Sequence, residues 1–196
     1  MADKYLSKAN HAKASRLNKQ HLSPKKVSKK KFEYNSKSLI SIDISEYEFT
    51  NFLSEETKHG ASNRFYYLLN NEHECLLTED FNESENIIKS IKGIISDIYD
   101  TESDSKLFAA LDSTESEQPF FKARVKDNVG NSTSFRVFYY LNKDKNAYEI
   151  ILIDPLHLAI KSRVQYKKPN RYEDMKTNSI CISSIYREVK VRKTFI

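Results

Sequence analysis

Three segments with strand-like patterning, joined by two short turns, constrain the fold more than any other part of this chain. The segments are 120–126, 135–141 and 148–154. Asn and Asp, with one Gly, are concentrated between them in 127–131 and 142–146, as is typical of turns. Alternation with a period of two predicts β-strands, and short connections predict antiparallel pairing. We therefore expect a β-meander at the core of an antiparallel sheet.

Isoleucines recur at helical spacing between residues 83 and 99. They are Ile87, Ile88, Ile91, Ile94, Ile95 and Ile98. This spacing predicts an amphipathic helix over 83–99, whose apolar side packs on one face of the sheet. Asn82 and Glu85 are spaced as an N-cap and its partner. Gly93 would cost such a helix about 1 kcal/mol relative to Ala, so we expect it to mark a close contact.

Positive charge is concentrated in the first 31 residues. Residues 1–31 hold ten basic side chains and one acidic one, a net charge of +9. The whole chain holds 32 basic and 27 acidic side chains, so residues 32–196 sum to −4. The composition of 1–31 predicts a disordered basic tail, followed by a single α+β domain over 32–196. A basic tail on a mildly acidic body is typical of a segment that meets a polyanion.

Several classes of protein are disfavoured by what the sequence lacks. Cys75 and Cys181 are too far apart for a CxxC pair or a zinc motif, and the histidines are dispersed, so we expect no metal and no cofactor. No Gly-rich phosphate loop or nucleophile elbow is present. No apolar run approaches the roughly 20 residues of a membrane span, and none follows the N-terminal charges as in a secretory signal. These observations predict a cytoplasmic protein with no membrane role.

A basic and aromatic sheet face is the first candidate site. If the first hairpin folds about Gly130, Arg124 lies opposite Arg136 and Lys126 lies opposite Ser134. The side chains then expected on one face are Lys122, Arg124, Lys126, Arg136, Phe138 and Tyr140. Two facing arginines need an anion between them. That anion is either a phosphate chain, with the aromatic rings stacking on bases, or a carboxylate of the same protein.

His157 follows the last of the three strand segments and is the second candidate. Its pKa lies near physiological pH, so beside Asp154 it could act as a general acid or base. Its neighbours Leu156 and Leu158 favour a hydrogen-bonded structural histidine instead, and Asp154 before Pro155 is typical of a turn. The sequence leaves both interpretations open.

The three strand segments resemble the sheet core of RelE/HigB-type toxins. The matching stretches are FKARV at 121–125, FRVFYY at 135–140 and IILI at 150–153. Members of that family are small α+β endoribonucleases that cut mRNA with basic and aromatic residues rather than a metal. By this resemblance, Arg124 and Arg136 would contact the RNA backbone, and Tyr139 or Tyr140 would stack on a base.

The resemblance also implies a catalytic group. His157 and Lys161 stand where the family often has an acid–base or cationic residue after its last core strand. The residues implied as catalytic are Arg136, Tyr139 and His157. Such a toxin would have a cognate antitoxin as its protein partner.

The leading expectation is a small cytosolic nucleic-acid-binding protein that favours RNA over DNA. Lys, Asn, Ile, Ser and Tyr are plentiful, a composition that AT-rich genomes tend to produce, and this composition favours a phage or mobile-element origin. The residues expected to contact nucleic acid are Lys122, Arg124, Lys126, Arg136, Tyr140, Lys161, Lys25, Lys26, Lys29, Lys30 and Lys31. The alternatives are a metal-independent RelE/HigB-like endoribonuclease, and a protein-interaction or inhibitor module with no nucleic-acid role.

Overall fold

The computed structural model describes residues 31–81, 83–112, 120–160 and 171–194. The strands are β1 (Phe32–Tyr34), β2 (Asp43–Ile44), β3 (Phe49–Thr50), β4 (Phe52–Leu53), β5 (Leu76–Asp80), β6 (Phe120–Lys126), β7 (Ser132–Asn142), β8 (Ala147–Asp154) and β9 (Ile180–Cys181). The α-helices are α1 (Glu55–Asn71), α2 (Glu85–Ile98), α3 (Ser105–Asp112), α4 (Arg171–Lys176) and α5 (Ile182–Thr194). Most of the N-terminal segment 1–31, and the predicted capping residue Asn82, lie outside the described residues.

A five-stranded mixed sheet lies at the centre of the fold, in the order β1-β8-β7-β6-β5. The strands β5, β6, β7 and β8 pair antiparallel with their neighbours. β1 pairs parallel with β8. The prediction that helices and strands share one fold is confirmed, but the sheet, which was expected to be antiparallel, is mixed because β1 joins it in parallel. Two short antiparallel pairs, β2-β3 and β4-β9, lie outside this sheet.

The first hairpin turn is tighter than the sequence analysis expected. The Asp127 carboxylate accepts hydrogen bonds from the backbone N–H groups of Val129 at 3.0 Å and Asn131 at 2.8 Å. Gly130 adopts a φ of 88°, which favours glycine. β7 therefore begins at Ser132 rather than at residue 135. A register shift between Arg124 and Lys126 places Lys126 opposite Ser132, so the expected pairing with Ser134 is wrong.

Side chains from outside the sheet cover both of its faces. On one face, the Phe65 ring of α1 stacks on Phe135 of β7 with centroids 6.3 Å apart, and it also contacts Tyr186 of α5. On the other face, Phe81, shortly before α2, meets Phe120 and Phe138 edge-on. The apolar core is continuous through the sheet, since buried residues of both faces belong to one cluster.

α2 begins at Glu85 and ends at Ile98, two residues later and one residue earlier than the pattern suggested. Ser84 stands at its N-cap without a side-chain capping bond. Ile91, Ile94 and Ile95 are fully buried in the core cluster. Burial of each such side chain stabilises the fold by about 1.5–3 kcal/mol, so this stripe is a main attachment of the helix.

Candidate nucleic-acid interface

The strand register brings most of the predicted basic and aromatic residues onto one sheet face. Arg124 lies opposite Arg136, Lys122 lies opposite Phe138, and Tyr140 lies opposite Phe120. Residues paired directly across two strands point to the same side of the sheet. The predicted pairing of the two arginines is therefore confirmed.

This face is covered by the chain itself. Phe138 is 0% exposed and Arg136 is 7% exposed. Phe81 packs against Phe138, with ring centroids 6.3 Å apart. Lys122 forms an ion pair with Glu83 in which both side chains are largely buried. Direct contact between a nucleic acid and the centre of this face would require the segment before α2 to move.

Arg136 is held by groups of the protein. Its Nη1 donates hydrogen bonds to the carbonyl oxygens of Thr133 and Phe135. In register it lies opposite Asp154 of β8, and its charge favours the ionised form of that carboxyl group. Of the two anions considered for the arginine pair, a carboxylate of the same protein is thus present beside Arg136.

Asp154 organises the turn that contains His157. Its fully buried carboxylate accepts backbone N–H hydrogen bonds from Leu156 at 3.3 Å, Leu158 at 2.9 Å and Ala159 at 2.9 Å. Burial raises the pKa of Asp154 to about 6, although the hydrogen bonds and the charge of Arg136 act in the opposite direction. The position of the turn, and of His157 within it, depends on this carboxylate.

His157 occupies an unusual backbone conformation in that turn. Its φ of 61° lies in the left-handed region, which is uncommon for residues other than glycine. The side chain is half-buried, between the buried side chains of Leu156 and Leu158. The Asp154 hydrogen bonds hold the backbone in this conformation.

Tyr139 and Tyr140 point to opposite faces of β7, as successive strand residues must. Tyr139 is 2% exposed, and its hydroxyl lies 2.8 Å from Thr78 Oγ1. Burial raises the pKa of Tyr139 to about 12. Because residues 136 and 139 are three apart on one strand, the structure does not bring Arg136 and Tyr139 together on one face.

Tyr140 belongs to a buried network centred on Glu149. Its hydroxyl donates to Glu149 Oε2 at 3.3 Å, and burial, followed by the Glu149 charge, raises the pKa of Tyr140 to about 12. Glu149 also accepts hydrogen bonds from Asn35, Asn142 and Lys145. Burial alone would raise the pKa of Glu149, but these hydrogen bonds outweigh it and lower that pKa. The network joins the chain just after β1 to the β7-β8 hairpin.

Two of the predicted lysines lie away from the covered centre of the sheet face: Lys31 just before the edge strand β1, and the half-buried Lys126 at the end of β6. The side chain of Lys31 is 73% exposed, and its Nζ lies 3.6 Å from Glu33 Oε1. Its carbonyl oxygen accepts the Tyr148 N–H at 2.9 Å, so the basic segment joins the body at the sheet edge. Lys126 Nζ reaches the carbonyl oxygen of Glu74 at 3.5 Å. The remaining predicted lysines lie outside the described residues, and they are Lys25, Lys26, Lys29, Lys30 and Lys161.

Arg64 is a cationic side chain that the sequence analysis missed. The run 64–69 is apolar after its first residue, and no helix was predicted there. In α1 the Arg64 guanidinium lies over Gly60, where a Cβ would stand 3.6 Å from Nη1. The four-residue spacing of Gly60 and Arg64 is the signal that could have placed them on one helix face.

The described segments show neither a metal-binding cluster nor a membrane-spanning helix. There, His, Cys, Asp and Glu side chains form no group of three or more that could hold a metal ion. None of the helices in those segments combines the length and apolar character needed to cross a bilayer. Comparison of the chain with models of known protein families, with curated proteins and with solved structures finds no match. The resemblance to RelE/HigB toxins stays a prediction.

Proposed function

We propose that the protein binds RNA without cutting it, and that the basic segment 1–31 supplies most of the affinity. The observation that carries this proposal is the separation of charge, with +9 on residues 1–31 and −4 on the rest. Lysines and arginines that neutralise phosphates release counterions, which gives affinity without sequence preference. The preference for RNA over DNA rests on the RelE/HigB resemblance.

The geometry of the sheet face supports binding over catalysis. Arg136 and Tyr139 point to opposite faces and are both buried. Arg136 donates to backbone carbonyls, and the Asp154 carboxylate accepts three backbone N–H groups beside His157. Side chains engaged in this way hold the fold together, and using them in catalysis would require the turn and the covering segment to rearrange.

The attachment point of the basic segment also supports the proposal. Lys31 is exposed and immediately precedes β1, which is an edge strand of the sheet. A strand of RNA bound to residues 1–31 would therefore approach the body from this edge rather than across the covered face. The body can then contribute contacts without unfolding.

A salt series on the full-length chain tests the proposal. In the first variant, Lys29, Lys30 and Lys31 are changed to Gln. The matched control changes three exposed lysines of the body, Lys89, Lys106 and Lys143, to Gln. Binding to mixed single-stranded RNA and to duplex DNA is followed by fluorescence anisotropy from about 50 to about 200 mM salt, over which phosphate-dominated affinity falls steeply.

We expect the first variant to flatten the salt dependence by about two in log–log slope, because each lost single-strand phosphate contact contributes about 0.7. The control should retain most of the wild-type slope. RNA integrity is read from gels of the same samples. Cleavage of RNA by the wild type that disappears in His157→Ala would replace this proposal with the endoribonuclease. Absence of binding to RNA and DNA would favour the protein-interaction module.

A further inference from the structure

A cleft runs between α1 and the loops at one end of the sheet. It consists of two adjoining cavities of about 240 and 450 Å³, which share Gly60 and Arg64. The smaller cavity is closed by Thr57, Ser134 and Pro155 among others. The larger cavity extends to the hairpin turn at Asp127. Its volume lies within the range of about 300–1,000 Å³ that is usual for ligand sites.

Arg64 is the cation at the centre of this cleft. Within the described parts of the chain, its guanidinium makes no hydrogen bond and no ion pair. The nearby carboxylate of Asp127 already accepts hydrogen bonds from Asn131 and Val129, which lower its pKa more than the charge of Arg64 does. A guanidinium has five N–H donors in a planar fork that matches a phosphate. The donors of Arg64 are thus available to a bound oxyanion.

The absence of a side chain at Gly60 makes room beside this cation. The nearest atoms to a Cβ built at position 60 belong to the Arg64 guanidinium, at 3.6–3.8 Å. A larger residue at position 60 would therefore occupy the space next to the donors. The guanidinium and this glycine both lie at the boundary of the two cavities.

The remaining lining fits a ligand with a ring and hydrogen-bond donors. Tyr66 and Tyr67 supply half-buried aromatic surface, and Asn63 and Asn128 supply amides at the larger cavity. Aromatic side chains stack on nucleobases of any sequence. The carboxylates of Glu56 and Asp127 also line the cleft. They disfavour a densely charged anion and favour a single phosphate accompanied by hydroxyl or amino groups.

We propose that this cleft binds one nucleotide, with its phosphate on Arg64 and its base against Tyr66 and Tyr67. Ribose hydroxyls or base amino groups then face Asp127 and Asn128. The nucleotide is either a unit of a single strand or a free nucleoside monophosphate. The inference rests on the proposed function for its choice of ligand, and it gives the folded body a site separate from residues 1–31.

The test is an amide chemical-shift titration of the full-length protein with nucleoside 5′-monophosphates, with a short single-stranded RNA and with inorganic phosphate. We expect shifts at Gly60, Arg64 and Asn128 with the nucleotide and RNA probes. Arg64→Gln should weaken nucleotide binding about tenfold or more, and Arg64→Lys should fall between, because lysine keeps the charge but not the fork. Arg187→Gln is the control, since it removes the same charge from α5.

The outcomes separate this inference from the proposed function. If RNA binds through residues 1–31 with equal affinity in Arg64→Gln and no nucleotide shifts the cleft amides, the cleft inference is overturned and the proposed function stands. If nucleotides bind the cleft but RNA affinity does not depend on the basic segment, the cleft stands and the proposed function falls. Shifts reproduced by inorganic phosphate alone, or unchanged in Arg64→Gln, overturn the nucleotide assignment. The spectrum of Arg64→Lys, compared with that of the wild type, checks that the substitution leaves the fold intact.

Discussion

The ring of Tyr47 lies against the backbone of Gly93 in α2, so close that a Cβ at position 93 would stand 2.0 Å from Tyr47 Cζ. No real side chain tolerates such a separation. The close contact predicted for Gly93 is confirmed by this packing. Glycine, which has a low helix propensity, occurs at position 93 of α2 because the Tyr47 ring fills the space in which a side chain there would lie.

Gly93→Ala should therefore destabilise the protein. Crowding of the Tyr47 ring costs about 1–3 kcal/mol, against a gain of about 1 kcal/mol from helix propensity, so we expect a net loss of about 1 kcal/mol in urea denaturation. In a Tyr47→Ala background the same substitution should instead gain about 1 kcal/mol. An equal effect in both backgrounds would show that the ring does not explain the glycine.

Gly60→Ala should stabilise the protein. Gly60 also lies inside a helix, but a Cβ there would make only ordinary contact with the end of the Arg64 side chain. We expect a gain of about 0.5–1 kcal/mol in the free energy of unfolding, measured by urea denaturation. A loss would mean that the cleft is tighter than its contacts indicate. Gly60 and Gly93 thus form a matched pair with opposite expected signs.

The buried carboxyl of Asp154 should make stability depend on pH. Its pKa is raised to about 6 in the fold, against about 3.9 in an unfolded chain. The unfolded state therefore loses this proton first, and the contribution of Asp154 to the free energy of unfolding falls as pH rises from about 4 to about 6. Above the folded pKa, no further change is expected from this group.

Asp154→Asn isolates that contribution, because asparagine does not titrate. The free energy of unfolding is measured by urea denaturation for the wild type and for Asp154→Asn across this pH range. The value for the wild type minus that for the variant should decrease as pH rises. A difference that shifts in favour of the wild type would mean that the three N–H hydrogen bonds outweigh burial, and that the folded pKa lies below the unfolded one.

Cys181 should be the more reactive of the two cysteines. Burial alone would raise the pKa of its thiol, but hydrogen bonds from Ser183, Ser41 and Ser184 outweigh it and lower that pKa to about 7. Since the thiolate is the nucleophile, alkylation of Cys181 should rise with a midpoint near pH 7. Cys181 is itself buried but keeps 6% of its surface exposed, whereas Cys75 is fully buried and should react only as the protein opens.

Ser41→Ala provides the check on this assignment. It removes the hydroxyl that donates to Cys181 Sγ at 3.0 Å, so the alkylation midpoint should move to higher pH. Peptide mapping by mass spectrometry follows each cysteine separately in the wild type and the variant. An unchanged midpoint would assign the low pKa to other groups.

Sequence patterns predicted those parts of the fold that depend on contacts between residues close together in the chain. The turn at Gly130 set the pairing of Arg124 with Arg136, because a short hairpin fixes its own register. β1 could not be predicted, since three residues carry no periodicity and its partner strand is distant in sequence. The parallel edge of the sheet depends on that partner.

The burial of the candidate site could not be predicted either. Alternation along β6 and β7 shows which side chains share a face, but not what covers that face. Phe81 and Glu83, which belong to a separate part of the chain, cover that face. Arg64 was missed because residues 64–69 were interpreted from their apolar side chains alone. Which side chains would share a helix face with Arg64 was not considered.

The parallel edge strand has a consequence for the order of folding. Asn35, just after β1, and Glu149 of β8 are joined by a hydrogen bond although they are 114 residues apart in sequence. At about 5–20 residues per second, translation needs on the order of ten seconds to cover that distance. We expect a contact of such long range to form late, because it closes a long loop. β1 precedes the other described strands in the chain, yet we expect it to be among the last of them to dock, and until it does, β8 is the edge of the sheet.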